Sequence, residues 1–270
     1  MVVFRLFFGF LGDLYKNKFV IGQLAKRDYQ NRYLGSFLGF IWTIIQPVVM
    51  IFVLYFVFVF GFKSGAIRDG VPFIAYLTTG MIAWNLFSDG LIGSTGVFQE
   101  YSYLVKKLNF RIAVLPVVKI LAALITHLIF IGIAVVILLV SGVEFSWWWF
   151  QSFYYLFAMV IFLLGMSWIT SSLQVFVKDI SQVVNVLLQF GFWLTPVVWN
   201  FDLLPANWQF IFKFNPMFYI VEGYRKSFIY HEGFWTYWQS GVYFWVITLV
   251  VLILGVFLFR KLRPHFADVL

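Results

Sequence analysis

Long apolar stretches separated by short polar breaks dominate the chain, and their lengths suit helices that cross a bilayer. Residues 37–60, 73–97, 114–140, 153–173, 183–199 and 242–259 are the six candidates. The first, at 24 residues, rises about 36 Å, enough to cross the hydrocarbon core with some tilt. Gln46-Pro47 lies inside it, and a proline there frees a carbonyl and kinks the helix. A transmembrane barrel would instead show alternating segments of about ten residues. The pattern predicts an all-α membrane protein with six transmembrane helices in a single domain over residues 1–270.

Two regions break the pattern. Over residues 1–25, Phe4, Phe8, Leu11 and Tyr15 recur at spacings of four, three and four, while Arg5, Asp13 and Lys16 fall on other sides. That is an amphipathic segment expected to form an N-terminal interface helix, and with the basic stretch behind it residues 1–35 are expected to make a cytoplasmic interface segment. Lys26, Arg27 and Arg32 lead into an abruptly apolar run at Leu34, as a chain does on leaving a charged surface for the bilayer. Residues 200–240 hold apolar runs cut by Pro205 and Pro216. At roughly 10 to 13 residues these are too short to cross and are expected to form a re-entrant hairpin between the fifth and sixth spans.

Composition fixes the environment. Apolar residues make up 63% and charged residues 11%, where a soluble domain carries about 25% charged. Mean hydropathy is +0.92. Of the 19 Lys and Arg residues, all but Lys63, Arg68, Lys213, Arg225 and Lys226 fall on the side of the termini. The positive-inside rule then puts both termini and the 98–113 and 174–182 loops in the cytoplasm, with the 200–240 hairpin facing outward. The formal charge of +8 matches loops facing anionic lipid rather than nucleic acid. No cleavable signal peptide is expected, because charges interrupt residues 1–25. With no cysteine there is no thiolate site.

Candidate chemistry is sparse. The chain lacks GxxxxGK followed by Ser or Thr, so it holds no ATP through a P-loop. His231-Glu232 opens like a zinc-protease motif, but residue 235 is Trp. With no nucleophile–base set and no metal cluster, no enzyme is expected. Ionisable groups inside spans are functional candidates, and Asp89 and His127 stand out: Asp89 near a span end, His127 mid-span and hydrogen-bonded between helices. Aromatics make up 23% of the chain. Trp42 and Tyr55 in the first span, and Phe190, Trp193 and Trp199 in the fifth, are candidates to line a sugar path, since flat rings hold sugar faces without fixing one geometry. The EYSYLVKKL stretch in the 98–113 loop is suited to docking on a soluble partner or to anchoring on lipid.

These residues together resemble a known family. RDYQNRYLGSFLGFIWTIIQP (27–47), LVKKLNFRIAVLP (104–116), VFVKDISQVVNVLLQFGFWLTPVVW (175–199) and FNPMFYIVEGYRKSF (214–228) are similar to segments of the permease subunit of type 2 ABC polysaccharide exporters. O-antigen exporters are the nearest, with capsule and teichoic-acid exporters close by. The resemblance implies a homodimer with two ATPase subunits, ATP and Mg²⁺ residing on those partners and no cofactor in this chain. It implies export of a lipid-linked polysaccharide across the bacterial inner membrane through a channel at the dimer interface. Coupling to the ATPase would fall to Lys106, Lys107, Phe110 and Arg111 in one loop and to Lys178 and Asp179 in another. The family usually has Arg-Asp at the second loop, so Lys178 departs mildly. Arg27 and Arg32 would meet the lipid headgroup, and residues 200–240 would form gate helices at the exit. A drug-efflux permease of the same architecture and a stand-alone channel or scaffold are the alternatives.

Overall fold

A computed structural model describes residues 9, 12, 14–32, 36–63, 70–106 and 111–270. The apolar positions Phe4, Phe8 and Leu11, and the coupling candidates Lys107 and Phe110, lie outside the described residues. Among those described the regular elements are all helices. We number the helices α1 (Lys18–Asn31), α2 (Trp42–Phe56), α3 (Phe73–Thr95), α4 (Leu115–Val140), α5 (Ser152–Phe176), α6 (Ile180–Leu194), α7 (Ala206–Lys213), α8 (Pro216–Arg225) and α9 (Trp238–Leu262).

Contacts between helix ends show that α2, α3, α4, α5, α6 and α9 run alternately between two ends of one bundle. Phe58, beyond α2, stacks on Phe73 at the start of α3. Lys119, early in α4, meets Glu100, just beyond α3. Phe259, late in α9, returns to Phe98. Among the described residues, four helical stretches are long and apolar enough to cross a membrane: Gly39–Gly61, Ile112–Val140, Trp147–Phe176 and Phe234–Val269. Two of the six expected spans do not stand out this way. Helix α6 is apolar but has only 15 residues. Helix α3 has 23 residues, but Thr78, Thr79, Asn85, Ser88, Asp89, Ser94 and Thr95 dilute its apolar character.

The polarity of α3 follows from its place. It packs against α2, α4, α5, α6 and α8, and 17 of its residues are buried, so it is shielded by protein. Its hydroxyls are satisfied internally, as buried groups must be. Thr78 donates to the Ile74 carbonyl at 2.7 Å, and Thr95 donates to Leu91 at 2.7 Å. Ser94 meets Ser167 of α5 at 2.6 Å, and the Thr95 hydroxyl meets that of Thr170 at 3.0 Å.

Helices α5 and α9 cross at two glycines. A Cβ on Gly255 would stand 2.6 Å from the Gly165 carbonyl oxygen, the close backbone approach that small residues allow in membrane bundles. Gly255→Val should therefore pry the pair apart, costing about 1–3 kcal/mol as overpacking and lowering the unfolding temperature in detergent.

One boundary differs from the sequence expectation. Helix α6 ends at Leu194 instead of running to Trp199, because Thr195 precedes Pro196 and adopts φ −90°, ψ 134°. The proline ring disfavours helical backbone in the residue before it. Trp199 therefore lies in an irregular segment, not on a helix.

Candidate functional site

The end of the bundle where α3 finishes and α4 begins concentrates charge. Along α1, Ile21, Ala25 and Asp28 share one face, spaced four and three apart, and all three are buried. Ile21 and Ala25 pack on Val114 and Val118 at the start of α4. The same face carries the Asp28 carboxylate into an apolar seam, where a charge is tolerated only with a partner. Lys119, next to Val118, supplies it: the ammonium donates to Asp28 Oδ1 and lies 2.6 Å from Glu100 Oε2. Both Asp28 and Lys119 are nearly sealed from solvent, at 5% and 6% exposure. One turn beyond Asp28, Arg32 donates to both oxygens of Asp89, at 2.9 and 2.7 Å. Burial, then the neighbouring Asp28 and Glu100 carboxylates, push the Tyr101 phenol well above its usual range, so it stays protonated.

Asp28, Arg32, Asp89, Glu100 and Lys119 line a cavity of about 590 Å³ together with Asn31, Ser181 and Asn185. A smaller cavity of about 370 Å³ continues between α2, α3 and α4, past Arg32 and Asp89 to Asn85, Thr126 and His127. His127 meets the Tyr224 hydroxyl through Nε2 at 3.0 Å, a bond between helices α4 and α8.

A second tie runs beside the charged cluster. Gln99, in the short helix Val97–Glu100, donates to the Gln174 carbonyl at 3.1 Å. The Gln174 side chain donates to the Lys178 carbonyl at 3.1 Å and accepts from the Ser181 amide at 2.8 Å. The turn bearing Lys178 and Asp179 is thereby bound to the segment that precedes residues 107–110. Gln174→Leu should loosen the turn by about 1–3 kcal/mol, the cost of stranding buried polar groups, read as faster amide exchange at Ser181.

At the opposite end, Arg225 is fully buried. It donates to Glu222 Oε1 at 2.6 Å and to the Val197 carbonyl at 2.8 Å. Its guanidinium lies 3.4 Å from the centre of the Tyr76 ring, a cation–π contact. A Cβ on Gly80 would come within 2.7 Å of it, so only glycine leaves room there. The Tyr76 hydroxyl donates to the Trp199 carbonyl at 3.0 Å. One arginine thus binds α8, the 195–199 segment and α3 together.

The sequence-based candidates fall in three settings. Phe190 and Trp193 share an exposed face of α6, and Trp42 is exposed at the start of α2. Tyr55 and Trp199 are partly buried against the core, and the Trp199 indole donates to the Trp193 carbonyl at 2.9 Å. Helices α2 and α6 each pack on α3, with their outer faces uncovered. Arg27 is exposed along a cavity of about 1000 Å³ beside α1, whereas Arg32 is engaged by Asp89. Lys106, Lys178 and Asp179 are exposed, as is Arg111.

Two further ionisable groups are enclosed where the sequence pattern marks only Asp89 and His127 within spans. By sequence order Lys119 belongs with the cations of the terminal side, and Arg225 with those of the outer loops. Both are buried. The sequence does carry a signal: Glu222 precedes Arg225 by three residues, a helical pairing distance, and Lys119 interrupts the apolar first turns of α4.

Three relatives are similar over most of their length. An O-antigen export system permease protein from Klebsiella pneumoniae is 28% identical over 251 residues, covering 92% of this chain and 93% of the relative. A second from Klebsiella pneumoniae is 26% identical over 250 residues. One from Myxococcus xanthus is 25% identical over 227 residues, covering 82% of this chain and 84% of the relative. The ABC-2 type transporter family matches residues 20–229. That stretch contains the charged cluster, the glutamine tie and the Arg225 lock, and the chain is a membrane permease belonging to the ABC-2 type transporter family.

Proposed function

We propose that this chain is the permease subunit of an exporter that moves a lipid-linked polysaccharide of the O-antigen type across the bacterial inner membrane, driven by a separate ATPase subunit. The observation that carries this reading is similarity to O-antigen export permeases along 92% of the chain. In this reading α3 and α6 cross together with the four long apolar helices, and α1 lies in the cytoplasmic interface. Helices α7 and α8 re-enter from the outer side, and both termini face the cytoplasm. ATP and Mg²⁺ are bound by the partner, and this chain performs no chemistry of its own.

Two copies would face each other across the uncovered sides of α2 and α6. Phe190 and Trp193, exposed at 64% and 56%, would present rings to the glycan late along α6, and Trp42 would do so from the start of α2. Tyr55 and Trp199, more deeply set, would shape the wall behind. The ATPase would meet the 98–113 loop through Lys106, Lys107, Phe110 and Arg111, and the α5–α6 turn through Lys178 and Asp179. The lipid diphosphate would meet Arg27 first, because Arg32 must leave Asp89 before it can bind a phosphate.

The headgroup role is tested by replacing Arg27 and Arg32 with Gln. Surface glycan is expected to fall while membrane insertion stays normal, and unchanged export would remove that role. Co-purification of an ATPase subunit with the wild-type chain, lost on charge reversal at Lys106 and Lys107, tests the partner.

A further inference from the structure

The Lys119 ammonium joins elements that are far apart in the chain. Asp28 belongs to α1, Glu100 to the segment leading to residues 107–110, and Lys119 itself to α4. The three N–H donors of one ammonium can serve two carboxylates at once, and here both lie within ion-pair distance of the same nitrogen. The other Asp28 oxygen, Oδ2, has no hydrogen-bond partner among the described residues, and Arg32 stands 3.8 Å from it. Lys119 is thus the close cationic contact of that buried carboxylate. Arg32 then continues the chain of charges to Asp89 on α3.

We propose that Lys119 is a positioning residue that makes α1 and the 97–105 segment move as one body, so that a push on that segment reaches the Arg32–Asp89 pair and the cavity it borders. This rests on the reading above, in which the 98–113 loop receives the ATPase stroke. Geometry favours a link over simple neutralisation. A cation placed only to neutralise Asp28 would have no need of Glu100, which is half exposed and already solvated. Tyr101 closes the same corner, its ring 5.5 Å from the ammonium.

The chain contains no cysteine, so labels can be placed cleanly at Gln23 on α1 and Tyr103 on the segment, both exposed. The measurement is the distance between spin labels at these sites in the permease–ATPase complex in nanodiscs, with and without trapped ATP, alongside ATP hydrolysed per glycan exported. In the wild-type background the separation should stay constant between the two states. In Lys119→Met it should change with nucleotide, and ATP used per glycan should rise about tenfold, within the usual range of coupling between sites. Lys119→Arg, which keeps the charge, should behave as wild type.

Because Lys119→Met strands a buried carboxylate, the same readouts are taken from Lys119→Met with Asp28→Asn, which removes both charges. An unchanged ratio and a constant separation in that double variant would overturn the proposal and leave Lys119 as a neutralising cation only. If ATP use and export are unlinked even in the wild type, the exporter reading fails, and the link is then judged in the permease alone. A narrow distance distribution that broadens in the double variant supports it. Equal widths overturn it.

Discussion

Arg225→Met should be the most damaging single substitution in the chain. The methionine fills much of the space but leaves the Val197 carbonyl without its donor and Glu222 without its cation. Breaking a buried pair by removing one partner costs about 3–5 kcal/mol, and partial exposure of Glu222 at 20% places the loss toward the lower end. The visible result is a lowered unfolding temperature in detergent and proteolysis within residues 195–225, because α8 and the 195–199 segment lose their common anchor on α3. Arg225→Met with Glu222→Leu should recover part of the stability, since no charge is then stranded. If the double variant is no more stable than the single one, the damage comes from the lost contacts with Val197 and Tyr76 rather than from the carboxylate.

Reversing Lys106 and Lys107 to Glu should have the largest effect on activity. Lys106 is exposed beside the segment tied to the bundle through Gln99 and Lys119. Like charges set against a docked partner cost several kcal/mol, so a loss of about 100-fold or more in ATPase association is expected. Surface glycan should disappear with it, while the reversed chain still inserts, because its spans are untouched. Loss of export with ATPase binding intact would move the coupling contact elsewhere, the exposed Lys178-Asp179 turn being the next place to test.

Most of the architecture was legible because apolar runs of bilayer length leave little choice of structure. Where such runs were cleanest, as in α4 and α9, sequence and structure agree to within a few residues. The difficulty lay in α3 and α6. Helix α3 is surrounded by protein and so tolerates hydroxyls, an amide and a carboxylate, which leave it less apolar than the four long stretches. Helix α6 stops five residues short of the expected 199, where Thr195-Pro196 ends it. Charges were the hardest to place. Sequence order assigns Lys119 to a loop-facing side and Arg225 to an outer hairpin, but burial depends on which helices cover them. Only the packing of α1 on α4, and of α8 on α3, shows that both are enclosed. The aromatic candidates divide the same way: Phe190 and Trp193 are exposed, whereas Trp199 is held by hydrogen bonds in an irregular segment.

The central claim is that this permease moves a glycan only when a separate ATPase works on it. The most direct measurement is surface polysaccharide in cells that express the permease with its ATPase partner, with a hydrolysis-deficient partner, or with none. The account predicts surface glycan in the first case and none in the other two, with equal permease in the membrane throughout. Glycan reaching the surface without any ATPase would contradict it and make the chain a passive channel or a scaffold.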